Sequence, residues 1–340
     1  MKAMRIEGNW GLENIRPVEL ADPEPGPDDV VIRIEAISIN PRDLVMMQGG
    51  YGRMGGSLPF VPLCDGAGRI VATGTNVTRV KQGDLVCPAF SRTWLHGTAG
   101  RDTLIGAHGG PLDGTACELM QLPANAVVRA PAHMSAQEAA TLPCAAVTAW
   151  NALIEEGHLK AGQTVLLQGT GGVSLFALQI AKMQGAEVIL TSSSDEKLEL
   201  AGRLGADHLI NYKATPDWHK TARDITDGEG VDHIVEVGGA GTLDKSAAAI
   251  KASGTIAVIG VLGGAASELQ LGRIVTRHVR LQGVTVGSCE MFRAMAAAMA
   301  LHGTKPVIDE KRFELAELAE ALARLPKVEH IGKIVGTVPI

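Results

Sequence analysis

Residues 164–191 read TVLLQGTGGVSLFALQIAKMQGAEVILT, and the fold of half the chain follows from them. TVLLQ (164–168) is a short apolar run, 173–184 repeats its apolar residues at helical spacing, and EVILT (187–191) is a second apolar run, a β-α-β order. Gly169-Thr170-Gly171-Gly172-Val173-Ser174 stands between the first strand and the helix, giving G-x-G-x-x with Ser174 in place of a third glycine. Gly169 permits the tight turn and Gly171 lets the backbone approach a pyrophosphate. The helix opened by Gly172 and Val173 turns unpaired amides and a positive dipole end toward the anion. Strand before and helix after are what raise a glycine pattern to a dinucleotide fingerprint. Further on, a helix over 195–204 and the apolar strands VDHIVEV (231–237) and GTIAVIGV (254–261) continue the alternation. This predicts a parallel sheet covered on both faces by helices, a doubly wound α/β domain.

The end of the second strand separates the two nicotinamide cofactors, because a carboxylate there bonds the ribose 2′-hydroxyl and repels a 2′-phosphate. Here Ser193 stands 24 residues after Gly169, Lys197 offers a cation four residues later, and Tyr212 could add a hydroxyl or a ring face. The pattern favours NADP(H) over NAD(H). The plainer alternative has Ser194 capping a helix, Lys197 as a solvated charge and Tyr212 as packing, and Asp195 weighs mildly on that side.

Residues before about 130 have a different texture. Val30 to Ile39 alternates apolar and polar residues, and Pro/Gly clusters at 22–28, 49–62 and 106–114 break the rest into short strands, so this half reads as all-β. Ser135-Ala-Gln-Glu138 is a capping box before the Ala-rich run 139–153, where helices are expected to begin. After Glu290 come a Met/Ala-rich helix, an amphipathic segment over 313–324 and a final strand near 333–338.

The 340 residues provide for about two domains, and 31 basic against 37 acidic residues give a charge of −6 with no basic block, which disfavours nucleic acid as a partner. The longest uncharged stretch, Ala252 to Ser267, is too short and glycine-broken to span a membrane. The opening MKAMRIEGNW carries charges where a secretory signal has its apolar core, and the five cysteines are odd in number and scattered. A reducing, cytoplasmic location without disulfides is the expectation.

The combination of ISINPRDL (37–44), LPCAAVTAW (142–150), QGTGGVSLFALQIAK (168–182), LGADHLINY (204–212) and VDHIVEVGG (231–239) resembles the medium-chain dehydrogenase/reductase superfamily, within it the zinc-independent quinone oxidoreductase branch. The resemblance implies a GroES-like β-rich catalytic domain over 1–145 and 290–340 and a Rossmann domain over 146–289. It also implies that Ser193, Lys197 and Tyr212 bind the 2′-phosphate and that Thr148 touches the nicotinamide. Gly260 and Val261 would present backbone to the nicotinamide amide, Gly238 and Gly239 would border the ribose, and Lys333 would lie near the cofactor. A homodimer or homotetramer is implied as well, and the strand edge Val279 to Val286 could pair across a dimer.

Zinc-dependent members take their metal with a Cys at the position of Asn40, a His-Glu pair at Cys64-Asp65, and a Cys at Cys144. Only the last is kept, and an Asn amide is a poor substitute for a thiolate, so no bound metal is expected, although a site using Cys64, Cys144 and Asp65 stays conceivable. His96 and His108, in a glycine-rich loop, read as solvated rather than ligating. Without a Lewis acid, hydride must go to a quinone or to a carbon–carbon double bond conjugated to a carbonyl. Asn40 could hold the substrate carbonyl through its amide N–H and Asp43 could position a water, or both could simply bond at a strand end. Tyr51 is the best general-acid candidate, since 40–51 is also similar to a segment of enoyl thioester reductases whose tyrosine donates a proton; the alternative is a tyrosine lining the pocket without chemistry. The reading is thus an NADPH-dependent reductase of quinones or α,β-unsaturated carbonyls. A zinc-independent or cryptically zinc-bound alcohol dehydrogenase or carbonyl reductase, and an NADPH-binding protein without a catalytic role, are the alternatives.

Overall fold

The computed structural model describes residues 1–100 and 103–339, which form two compact units, Met1–Val147 with Val286–Ile340, and Thr148–Thr285. The sequence expectation set the boundaries at 145/146 and 289/290.

In the first unit, β1 (Lys2–Ile6) and β2 (Ile15–Glu19) make a two-stranded ribbon. The main sheet is built around β3 (Asp29–Ile39), an eleven-residue strand whose apolar side chains are buried while Arg33 is exposed and Glu35 partly so. Asn40 and Pro41 end it, the proline being suited to the first position of the short helix α1 (Pro41–Met47). β4 (Asp65–Thr73), β5 (Leu85–Pro88), β6 (Leu119–Pro123) and β7 (Val127–Arg129) follow. Ser135 caps α2 (Ala136–Ala139), its hydroxyl accepting from the Glu138 N–H and the Glu138 carboxylate from the Ser135 N–H. Helical structure begins here as expected, but over the Ala-rich run 139–153 it is not one continuous α-helix. Pro143 lacks a helical donor, and the backbone takes π-type turns at Leu142–Ala146 and Asn151–Glu155 around α3 (Val147–Trp150).

The second unit is a six-stranded parallel sheet. Its elements are β8 (Thr164–Gln168), α4 (Gly172–Met183), β9 (Glu187–Ser192), α5 (Asp195–Arg203), β10 (His208–Asn211), α6 (Trp218–Ile225), β11 (Val231–Glu236), α7 (Leu243–Ala249), β12 (Ile250–Val258), α8 (Leu271–Thr276) and β13 (Arg280–Gly283). The strand order is β10-β9-β8-β11-β12-β13. Leu166, Ile189, Ile234 and Ile256, from the four central strands, are fully buried, each contributing roughly 2 kcal/mol of hydrophobic stabilisation. Order reverses between β8 and β11, and at such a switch point the strand ends leave a crevice for a ligand.

The chain returns to the first unit with α9 (Cys289–His302), capped by Ser288 and stopped by Gly303 in the left-handed conformation, then β14 (Ile308–Glu314), α10 (Leu318–Ala323) and β15 (Lys333–Thr337). The sheet runs β14-β15-β3-β4-β5-β7, with β6 also on β3. Among the described residues, no helix is long and apolar enough to cross a membrane.

Candidate functional site

Register assembles the chemistry of the first unit. Ile334 of β15 pairs with Ile39 of β3, and Ser38 pairs with Asp65 of β4, so Lys333, Asn40 and Asp65 meet at one end of three adjacent strands. All three are buried, at 3%, 3% and 0% exposure. The Lys333 ammonium donates to the Ile39 carbonyl at 2.9 Å, to Asp65 Oδ2 at 3.2 Å and to Asn40 Oδ1. With its oxygen thus engaged, the Asn40 amide turns its N–H groups toward Asp65 Oδ2 (2.8 Å) and Cys64 Sγ (3.5 Å). Burial pushes the Asp65 carboxyl up, opposed by Lys333 and Asn40, and burial likewise pushes the Cys64 thiol well up.

These contacts bear on two sequence expectations. Asn40 spends its amide N–H groups inside the protein, leaving none for a substrate carbonyl. Asp43 is 1% exposed, its Oδ2 accepts from the Asn40 backbone N–H at 2.8 Å, and its Oδ1 lies 3.8 Å from Arg42. It closes the first turn of α1, the strand-end bonding named as the alternative. Lys333, expected near the cofactor, gives its ammonium to three acceptors of the first unit.

Arg42 was missed. Its guanidinium donates to the His108 and Gly110 carbonyls at 3.1 and 3.2 Å and lies 4.8 Å from the Phe90 ring centre and 5.8 Å from that of Tyr51. Burial works against its charge, but Cys64 and Asp43 outweigh this and raise its pKa. Nothing in PRD distinguishes such an arginine from a solvated one. Tyr51 is half-buried, and burial raises its phenol while Arg42 opposes the rise. His108 is buried rather than solvated, with Nδ1 on the Asp113 carbonyl at 3.1 Å and a pKa pushed down to about 4 by burial; His96 is exposed.

Cys64, Asp65 and Cys144 are the one group of described residues that could hold a metal, with ligand atoms within 4.8 Å of one another. Against a dication stand the ammonium already on Asp65 and the Asn40 amide, which points hydrogens, not a lone pair, at the sulfur.

In the second unit the fingerprint lies where β8 gives way to α4. Gly169 has φ +73°, and nothing lies within 4 Å of where a Cβ on Gly169 or Gly171 would sit, so both backbones face open space beside the helix N-terminus that Gly172 and Val173 open. Ser174 is buried and donates to the Gln168 carbonyl at 2.6 Å, which explains a serine in the third-glycine place. The neighbouring loops are held by Glu236, another missed residue. Fully buried at the end of β11, it accepts from Gln168 Nε2 (2.7 Å), the Gly238 and Gly239 N–H groups (2.9 and 3.0 Å), Thr242 and Ser246. An acid following the apolar pair Ile234-Val235 at the strand's end was the available signal. Gly263 donates to the Gly238 carbonyl at 2.7 Å, and a Cβ on Gly260 would lie 2.5 Å from the Val237 oxygen. Gly260 thus permits close approach of two backbones, whereas a Cβ on Gly238 would collide with the Thr242 side chain. Val261 is 54% exposed, and Thr148 is buried in α3.

Asn211 of β10 pairs with Ser192 of β9, so Ser193 and Tyr212 leave adjacent strands at one level. Ser193 and Lys197 are half-buried, and Tyr212 is 41% exposed. Ser194 caps α5 through the Lys197 N–H, and the Asp195 carboxylate accepts from Asn211 at 2.7 Å.

Two family models match the chain, one described as zinc-binding dehydrogenase over residues 172–301 and one as alcohol dehydrogenase GroES-like domain over 26–132. A zinc-type alcohol dehydrogenase-like protein of Schizosaccharomyces pombe is 43% identical over 96% of this chain and 95% of its own length. The quinone oxidoreductase of Homo sapiens is 28% identical over 94% and 92%. Among solved structures, an NAD-dependent alcohol dehydrogenase superposes with TM-score 0.88 at 30% identity over the whole of both chains. A quinone oxidoreductase of Pseudomonas syringae pv. Tomato DC3000 gives 0.83 at 26% identity over 99% of each.

Proposed function

The chain belongs to the medium-chain dehydrogenase/reductase superfamily, an oxidoreductase with a GroES-like and a Rossmann-type domain, and from that premise we propose that it is an NADPH-dependent reductase acting on a quinone or an α,β-unsaturated carbonyl without zinc. The observation that carries the zinc-free reading is the Lys333–Asn40–Asp65 cluster. A buried ammonium supplies positive charge beside Asp65, and it fixes the Asn40 amide with its hydrogens toward Cys64. Zinc would have to displace that arrangement and strip protons from two thiols, so the donor set does not suit it.

The open backbone at Gly169 and Gly171 supports a pyrophosphate at the N-terminus of α4. Ser193, Lys197 and Tyr212 would hold the 2′-phosphate, with no carboxylate at the end of β9 to repel it. Gly238 would border the ribose, and Thr148, Gly260 and Val261 the nicotinamide. When bound, the dihydronicotinamide supplies a hydride. Tyr51 is the protonating group: its phenol, kept neutral by burial, donates to the enolate left when the β-carbon is reduced. The relatives named quinone oxidoreductase and, from Metallosphaera sedula, acryloyl-coenzyme A reductase support acceptors of this kind.

We place the protein in the cytoplasm, acting on a small molecule and not on nucleic acid or membrane, and as a homodimer. The outer edge of β13 has no strand neighbour among the described residues, and Leu271, Val275 and Leu281 are exposed close to it in sequence. NADPH deuterated at the reactive C4 position tests the chemistry. Deuterium on the β-carbon of an enone is the expected product; deuterium on the carbonyl carbon would favour the alcohol dehydrogenase reading suggested by the relatives named for that activity.

A further inference from the structure

Three of the five cysteines are locked in the interior. Cys87 Sγ donates to the Ala139 carbonyl at 3.3 Å, Cys117 Sγ to that of Leu119 at 3.3 Å, and Cys289 is fully buried at the start of α9. Cys64 and Cys144 are arranged differently. Their sulfur atoms lie within 4.8 Å of each other and of an Asp65 oxygen. Cys144 is partly exposed on the first π-type turn, whereas Cys64 is 0% exposed. The Arg42 guanidinium interacts electrostatically with both sulfurs, and Cys64 Sγ faces Asp65 Oδ1 at 3.8 Å.

We propose that Cys64 and Cys144 are a modification site, a dithiol that a small peroxide oxidises to a disulfide. The parts needed for two steps are present. Cys144, the accessible thiol, reacts first: its thiolate attacks one peroxide oxygen, the S–O bond forms, the O–O bond breaks, and hydroxide leaves to be protonated as water, with Arg42 beside the sulfur to stabilise the anionic forms. Cys64 resolves the sulfenic acid. Its sulfur attacks that of Cys144, the S–S bond forms, the S–O bond breaks, and the departing hydroxide takes up the Cys64 proton by way of Asp65 Oδ1. In sum two thiols lose two electrons and two protons, and hydrogen peroxide becomes two waters. Side-chain rotation must bring the sulfurs to about 2 Å, and in doing so it draws Cys64 from the Asn40 amide, 3.5 Å away. The buried three remain reduced because burial keeps peroxide from their thiols.

The test needs no substrate. Fully reduced protein is treated with stoichiometric hydrogen peroxide, quenched with an alkylating agent and digested without reductant. Mass spectrometry should find one cross-linked pair of peptides, carrying Cys64 and Cys144, two hydrogens lighter than their sum and separated by dithiothreitol. In Cys64→Ser the Cys144 sulfenic acid should persist and be trapped by dimedone. Wild-type Cys144 advancing to sulfinic acid without a cross-link would overturn the proposal. So would a cross-link through Cys87, Cys117 or Cys289, or five thiols left intact. The wild-type experiment decides even if the variant fails to fold.

Discussion

Replacing Lys333 by methionine keeps the length of the side chain and removes the ammonium, which strips Asp65, Asn40 and the Ile39 carbonyl of a shared donor in a place without water access. Removing one partner of a buried ion pair typically costs about 3–5 kcal/mol, because the other charge stays behind uncompensated. In a unit of roughly 200 residues that corresponds to a fall in Tm of about 6–20 °C. The cost should depend on pH in a defined direction. The Asp65 carboxyl is already raised by burial, and loss of Lys333 raises it further, so its ionised form weakens the fold at neutral pH and the penalty fades as pH falls through the folded-state pKa. The gap between wild type and Lys333→Met, measured by urea unfolding, should therefore be widest at pH 7 and narrow on acidification. Adding Asp65→Asn, which removes the stranded charge, should restore about 2 kcal/mol. A single-variant cost below about 1 kcal/mol, or an Asp65→Asn change that adds to the loss, would refute the reasoning.

Lys197→Ala should raise the dissociation constant for NADPH by about tenfold or more with little effect on NADH, measured by fluorescence titration; equal losses would exclude 2′-phosphate recognition by this lysine. Tyr51→Phe should lower kcat for an enone by roughly 100-fold and remove the basic limb of its pH profile, and unaltered turnover and profile would remove Tyr51 as the acid. Val275→Asp, at a side chain 72% exposed, should shift the sedimentation equilibrium from dimer toward monomer. A wild-type monomer would contradict the dimer outright.

What was legible in the sequence was local. The turn at 168–174 needs its glycines within six residues, so strand, turn and helix could be read together, and the parallel sheet followed from the alternation of apolar strands with helices. The catalytic unit was less legible, because Lys333 reaches Asn40 across 293 positions through the β15–β3 register, which no local pattern encodes. Asn40 was singled out in the sequence, yet its amide faces inward, and the lysine bonded to its oxygen decides which way it turns. His108 read as a loop residue since its neighbours are glycines; its ring bonds Asp113 within the same loop, and its backbone bonds Phe90 and Arg42. Pro143 carried a usable warning that the Ala-rich helix would be interrupted.

The most direct test of the account is the initial rate of NADPH consumption by metal-stripped protein offered matched quinone, enone and aldehyde acceptors, with the product identified. The account predicts turnover of the quinone or the enone that is unchanged when zinc is restored. Activity confined to the aldehyde, or recovered only with zinc, would contradict it and make Cys64, Asp65 and Cys144 a metal site after all.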